Sequence, residues 1–250
     1  LVRGKIESEC FDSDSISSEY ESSLSDSYRN KEGIYYTPPP IVANLLSLQA
    51  NEVGSATFFD PCCGSGNFLV HALKLGFKPE NIYGFDTDAN AVSIAKKRIY
   101  AATGVEPKNI KCADFLSEAS KTPALQFDFI FTNPPWGKKI QKEQKEQYGR
   151  IFGAGRALDT SALFFFACIR SLKEGGHLGL LLPDAFFNIA AFEDARLSIS
   201  KLELLRIVDF GKAFKGLMSK AIGMSLLNRG RTKESPFVIC ESAGKRYERN

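Results

Sequence analysis

Asn133-Pro134-Pro135-Trp136 ends the apolar run Phe127-Asp128-Phe129-Ile130-Phe131-Thr132, and these residue types in this order suit the activation of a planar amino group. An amino group conjugated to an aromatic ring is a weak nucleophile, because its lone pair is delocalised into the ring. A catalyst gains by accepting hydrogen bonds from both of its N–H groups. Asn133 offers a side-chain carbonyl, and Pro134 offers a backbone carbonyl with no competing N–H. Two successive prolines, Pro134 and Pro135, fix two φ angles and stiffen the turn. Trp136 adds a flat apolar surface that can replace the stacking partner of a base taken out of a duplex. Standing alone, the tetrapeptide would equally be a strand-to-loop turn with a buried tryptophan.

It does not stand alone. The upstream stretch Phe58-Phe59-Asp60-Pro61-Cys62-Cys63-Gly64-Ser65-Gly66-Asn67-Phe68-Leu69-Val70 reads as strand, glycine loop and helix, a nucleotide-binding layout. Leu69 stands where the dinucleotide fingerprint has its third glycine. Asp60, at the strand end, would repel a phosphate but attract an ammonium group. The loop from Asp60 and Pro61 through Cys62, Gly64, Gly66 and Asn67 therefore suits the methionine part of S-adenosylmethionine better than a pyrophosphate. A second strand ends at Asp86-Thr87-Asp88, about twenty residues on, which is the spacing of a ribose-hydroxyl acceptor. Asp86 is that candidate. A third strand ends at Asp114-Phe115, with Asp114 placed to accept from an adenine amino group and Phe115 to flank the ring. Each acid singly is also an apt helix cap, and Asp88 reads as the N-cap of a helix beginning near Ala89.

The elements that must hold these residues alternate. Strand patterns fall near 56–60, 82–86, 109–113, 127–132, 177–182 and 203–210, and helix patterns near 67–76, 89–102, 159–173 and 190–199. Such alternation predicts an α/β domain with a mainly parallel sheet covered on both faces, ligands lying at its carboxyl edge.

Together with the segment Gly33-Ile34-Tyr35-Tyr36-Thr37-Pro38-Pro39-Pro40-Ile41-Val42 that precedes the glycine loop, these motifs resemble, in their order, the catalytic domain of adenine-N6 DNA methyltransferases of the gamma arrangement. The resemblance runs to about Asn228. It implies a Rossmann-like class I S-adenosylmethionine-dependent fold with a seven-stranded, mostly parallel sheet and one antiparallel strand around Ile222 to Leu227. It also implies that Tyr36 and Thr37 touch the methionine end of the cofactor, residues Asp60 to Asn67 its amino acid, Asp86 and Thr87 the ribose, and Asp114 with Phe115 the adenine. Asn133 would face both cofactor and target, and Asn133 to Trp136 would hold the target base, with Phe214 from the later segment Val208 to Lys215 as the second aromatic contact. Phe210 reads as strand core instead. Such enzymes serve restriction-modification systems, so the implied partners are double-stranded DNA and a recognition region or specificity or restriction subunit outside this chain.

Composition is consistent with that. The 250 residues are 44% hydrophobic, enough for one α/β core. Residues 1–32 carry eight acids against four bases, a net charge of −4, which leaves +7 on the rest. This Ser-rich acidic segment is expected to be disordered or a helical extension. Residues 33–235 form the expected catalytic domain and 236–250 a C-terminal segment leading to a recognition region. No apolar stretch reaches membrane-spanning length, no signal peptide opens the chain, and the scattered cysteines read as reduced thiols of a cytoplasmic protein. His71 and His177 suit structural roles, and no metal is expected, since a sulfonium is already an activated leaving group. Basic residues gather after the tetrapeptide (Lys138, Lys139, Lys142, Lys145) and after the later aromatic segment (Lys212, Lys215, Lys220, Arg229, Arg231, Lys233), where phosphate contacts would be needed beside a base pocket.

Alternatives remain at this stage. The same site chemistry serves RNA adenine or guanine methylases, glutamine-amide methylases and cytosine-N4 methylases, and a non-catalytic cofactor-binding subunit of a larger restriction complex would keep the same loops. The Tyr36-Thr37-Pro38 element before the glycine loop favours DNA, and Asn133 as the first residue of the tetrapeptide favours adenine.

Overall fold

Phe58 and Phe59 show how the chain builds its sheet. Neighbouring strand residues face opposite ways, so Phe58 joins a core on one face with Phe131, Leu69 and Leu45, and Phe59 joins the opposite core with Phe127, Ile130 and Phe165. A strand apolar on both faces is what a parallel sheet covered by helices requires. The computed structural model describes residues 20, 23, 35–47, 53–121, 124–214, 217–230, 232, 238–242 and 245–249. The predicted segment 1–32 lies outside these apart from Tyr20 and Ser23, as do Gly33, Ile34, Lys215, Arg231 and Lys233.

The strands are β1 (Phe58–Asp60), β2 (Ile82–Asp86), β3 (Ile110–Cys112), β4 (Phe127–Thr132), β5 (Leu172–Pro183), β6 (Glu203–Asp209), β7 (Ala221–Leu227), β8 (Val238–Ser242) and β9 (Lys245–Arg249). They form one sheet in the order β3-β2-β1-β4-β5-β7-β6-β8-β9. Strands β3 to β5 pair in parallel, and β7 runs antiparallel to both β5 and β6, as expected for Ile222 to Leu227. The sheet has nine strands rather than seven. The outer edge of β6 still has backbone groups to satisfy, and β8 takes them in parallel register, with β9 folding back on β8. Arg206 of β6 fastens this extension, donating to Glu241 of β8 at 2.8 Å and to the Asn44 carbonyl at 2.7 Å.

The helices are α1 (Pro39–Leu46), α2 (Asn67–Lys74), α3 (Ala89–Thr103), α4 (Phe115–Ala119), α5 (Lys142–Phe152), α6 (Thr160–Arg170), α7 (Ala185–Asn188) and α8 (Glu193–Ile199). Asp88 caps α3 as expected, accepting from the Asn90 and Ala91 N–H groups. The mixed basic stretch 138–145 is partly helical, since Tyr148 and Phe152 stack at 5.7 Å and give α5 a buried face. His177 lies on β5 against Phe129 and Phe131, where burial pushes its imidazole down to about 4.

The order of strands reverses at β1, which pairs with β2 on one side and β4 on the other. In open α/β sheets this switch point opens the ligand crevice at the carboxyl edge. Asp60, Asp86 and Asn133 stand at or just past the ends of β1, β2 and β4.

Candidate active site

A cleft of about 940 Å³, counted out to its open mouth, occupies that crevice. Of the residues selected from sequence, Tyr36, Thr37, Asp60, Pro61, Cys62, Gly64, Asn67, Asp86, Thr87, Asp114, Phe115, Asn133, Pro135 and Lys138 border it. Gly66, Pro134, Trp136, Lys139 and Phe214 do not.

The glycine loop is held from several sides. Asp86 accepts from the Gly64 N–H at 2.8 Å through one oxygen and from the Asp88 N–H at 2.9 Å through the other. The Cys63 N–H reaches the Phe85 carbonyl at 2.8 Å. Gly64 has φ +50°, and a Cβ there would sit 3.1 Å from the Tyr36 ring; only glycine takes that turn under that ring without strain. The packing task of a third glycine has moved. Leu69 is fully buried against Gly84 of β2, where a Cβ would fall 2.8 Å from its methyl.

Two residues that the sequence reading passed over complete the loop. Arg98 of α3 is buried, and one of its nitrogens donates to the Ser65 carbonyl and to Asn67 Oδ1, each at 2.8 Å. Asn67 in turn donates to the Thr37 carbonyl at 3.0 Å. The glycine loop, α3 and the Tyr36-Thr37 segment are thus one hydrogen-bonded unit. A legible signal existed, for Arg98 falls with Ala91, Val92 and Ala95 on the buried face of α3.

The second overlooked residue is Tyr35. Its carbonyl accepts from Asn133 Nδ2 at 2.7 Å, and its ring packs on Trp136 (6.2 Å between centroids) and on Phe214 (5.5 Å). Trp136 and Phe214 meet edge to face at 5.3 Å. Both are buried, and the indole N–H donates to the Leu181 carbonyl at 3.2 Å. The flat wall expected at Trp136 is therefore not presented to the cleft, because the indole is buried against Tyr35 and Phe214. Phe210 packs over Gly223, in keeping with a core role.

The cleft is rich in acceptors. Asp60 is fully buried; its Oδ1 accepts from the Cys62 N–H at 3.1 Å. Asp60 Oδ2 and Asn133 Oδ1 are both shielded from solvent without a hydrogen-bond partner among the described residues. Leaving a buried acceptor unpaired costs about 1–3 kcal/mol, so both atoms suit donors brought by a ligand. Burial raises the Asp60 carboxyl to about 7 against the lowering effect of the Thr132 hydroxyl and the Cys62 N–H, with a smaller raising contribution from the neighbouring Asp86. Burial also raises Asp86, against the lowering effect of the Asp88 and Gly64 N–H groups and of Lys138. Burial pushes the Cys62 and Cys63 thiols up and keeps them neutral. Three carboxyl groups, Asp60, Asp86 and Asp114, face the cleft, and Lys138 is the only cation among its described lining residues. This balance disfavours a pyrophosphate and fits a ligand that carries positive charge and several donors, as S-adenosylmethionine does. Asp114 caps α4 through Oδ1, accepting from the Ser117 N–H at 2.8 Å, and is otherwise exposed. Phe115 is buried beside it, edge-on to Phe59.

The basic residues divide. Lys220 pairs with Asp209 at 3.4 Å, Arg229 with buried Glu203 at 2.7 Å and Lys142 with Glu146 one turn on at 3.9 Å, while Lys139 and Lys212 are exposed. After Pro183 the chain turns inward as α7 and seats Phe186 in the core. No group of His, Cys, Asp and Glu among the described residues is arranged to hold a metal ion.

Comparison with known proteins identifies relatives of the whole fold. Residues 11–212 match the family model described as N-6 DNA Methylase. The chain is 44% identical over 248 residues to the Type II methyltransferase M.VspI of Vibrio sp. (strain 343), covering 99% of this chain and 60% of that protein. It is 27% identical over 193 residues to the modification methylase CviBIII of Paramecium bursaria Chlorella virus NC1A, covering 76% of this chain and 48% of that protein. Among solved structures, a modification subunit of a putative type I restriction enzyme from Vibrio vulnificus YJ016 superposes with a TM-score of 0.69 at 20% identity, over 92% of this chain and 52% of that one. A putative class I S-adenosylmethionine-dependent methyltransferase from Listeria monocytogenes superposes at 0.60 and 19% identity, over 84% of this chain and 67% of that one, and shares the fold. The chain thus spans between about half and 60% of the length of the two curated relatives.

Proposed function

Because the chain belongs to the N-6 DNA methylase family, we propose that it transfers the methyl group of S-adenosylmethionine to the exocyclic N6 of adenine in duplex DNA, as the catalytic part of a restriction-modification system. The observation that carries this reading is the state of Asn133, whose Nδ2 is tied to the Tyr35 carbonyl while its Oδ1 remains a buried, unpartnered acceptor.

When bound, S-adenosylmethionine supplies a methyl group on a sulfonium, a leaving group that needs no metal. Asp60 Oδ2 is the acceptor for its ammonium group, Asp86 with Thr87 borders the ribose, and Asp114 with Phe115 borders the adenine. Asn133 Oδ1 accepts one N–H of the target amino group, and the Pro134 carbonyl accepts the other. Both contacts pull density toward nitrogen and hold its lone pair out of the ring plane. Once methylated, the nitrogen is cationic, and its surplus proton passes to water. Most of the acceleration comes from positioning.

A base inside a duplex cannot reach this carbonyl, so the reading includes extrusion of the target nucleotide. Admission of the base separates Phe214 from Trp136, and the freed faces of both rings then border it. The segment that carries Phe214 is pinned at its root, where Gly211 accepts from the Ala221 N–H at 2.9 Å. Lys138, which borders the cleft, and the exposed Lys139 are assigned as phosphate contacts. Sequence selection is assigned to a recognition region or subunit, in line with the share of its relatives that the chain spans. No helix among the described residues is long and apolar enough to cross a membrane.

The test is transfer of labelled methyl to duplex DNA, RNA and a release-factor protein in parallel, with digestion of the nucleic acids to nucleosides. N6-methyladenine from DNA alone is the expected product. Label in RNA or protein, or cofactor binding with no transfer at all, contradicts the reading.

A further inference from the structure

Tyr20 stands in the acidic N-terminal stretch, outside every motif, yet it touches Tyr36 on the cleft border and Asp88 beside Asp86 and Thr87 of that border. Its hydroxyl donates to Asp88 Oδ2, and its ring meets the Tyr36 ring edge-on, with centroids 6.4 Å apart. Both contacts lead to the glycine loop. Asp88 uses its other oxygen to cap α3, and its N–H holds Asp86 Oδ1, while Asp86 Oδ2 holds the Gly64 N–H. Tyr36 lies directly over Gly64. A tyrosine at this place therefore governs two things at once. It fixes the carboxylate beside Asp86, and it sets the rotation of an aromatic ring that borders the cleft.

We propose that Tyr20 is a positioning residue for the cofactor, reaching from the N-terminal segment to lock Asp88 and Tyr36 around the glycine loop. This rests on the S-adenosylmethionine reading of the cleft. The chemistry agrees with the role: a phenol donates to a carboxylate without neutralising it, and the edge of one ring steadies another whose face attracts a cation. The N-terminal segment then belongs functionally to the cofactor site.

Calorimetric titration of S-adenosylmethionine into the parent chain, Tyr20→Phe and Tyr20→Ala, together with ligand-free melting temperatures, tests this. A hydrogen bond to a charged group corresponds to about a tenfold change in Kd, so Tyr20→Phe is expected to weaken binding by about that factor and Tyr20→Ala further, with ligand-free melting little changed. In an Asp88→Asn background the Tyr20→Phe effect is expected to shrink. Unchanged Kd in both variants overturns the proposal while leaving the cofactor reading intact. A fall in ligand-free melting that accounts for the whole loss of affinity overturns it too, since that is a merely structural role. Failure of the parent chain to bind S-adenosylmethionine removes the cofactor reading, and this proposal with it.

Discussion

The Tyr35 carbonyl accepts from Asn133 Nδ2 at 2.7 Å across 98 positions of sequence, and this contact decides which end of the Asn133 amide is available for chemistry. A carbonyl can only accept. The NH₂ end of the side chain must therefore face Tyr35, and Oδ1 must face away from it as an acceptor.

Removal of that acceptor is the most direct test. Asn133→Ala is expected to lower methyl transfer by at least about 10²-fold, by analogy with the loss of one preorganised polar contact to a reacting group, with the Kd for cofactor nearly unchanged. Asn133→Asp sets a carboxylate oxygen against the Tyr35 carbonyl and is expected to be similarly poor, although it retains an acceptor. Single-turnover rates alongside cofactor titration separate the two quantities, and equal loss of both would contradict the assignment.

Asp86→Ala removes the acceptor shared by the Gly64 and Asp88 N–H groups. Cofactor affinity is expected to fall by roughly 10- to 100-fold, the range for hydrogen bonds to a charged partner. An unaffected dissociation constant would take Asp86 out of the cofactor site.

Trp136 is the only tryptophan of the chain, so its emission reports on the aromatic trio alone. Trp136→Ala should destabilise the fold by about 3–5 kcal/mol, as for other large buried aromatics. Phe214→Ala should leave the indole in place but open it to a neutral quencher such as acrylamide. Identical quenching in the parent and in Phe214→Ala would show that Phe214 does not shield Trp136.

Asp60 gives a pH dependence with a defined sign. Its carboxyl is raised by burial from 3.8 to about 7 in the folded chain, so between those values the folded state holds a proton that the unfolded state has released. Stability is therefore fully supported below pH 3.8, falls as pH rises through the window, and levels off above about 7. Asp60→Asn should flatten this fall, by on the order of a few kcal/mol across the window. Urea titrations of both proteins at pH 5 and pH 8 measure it, and parallel pH profiles would show that Asp60 ionises normally. Binding of an ammonium-bearing ligand should strengthen over the same rise in pH, as the carboxylate forms.

The two cores follow from patterns that short-range physics can read. The bounds of β2 and β4 were legible because an apolar run ended by a turn is a local signal, as was Asp88, whose cap satisfies N–H groups two and three residues away. The eighth strand was not. Val238 to Ser242 is a short stretch that becomes β8 because Arg206 and the open edge of β6 meet it. Helix α5 was likewise missed, since its stabilising face is two aromatics set among charges that dominate its composition.

By itself the sequence determined the alternation of strands and helices, the three carboxyl groups at successive strand ends and the tetrapeptide after β4, because those depend on residue type and spacing along the chain. Only the tertiary structure decided that Arg98 staples the glycine loop, that Tyr35 orients Asn133, and that Trp136 and Phe214 cover each other. Those contacts join residues 31 to 98 positions apart, and a hydrogen bond or ring contact between such residues exists only once packing has set both partners' orientation.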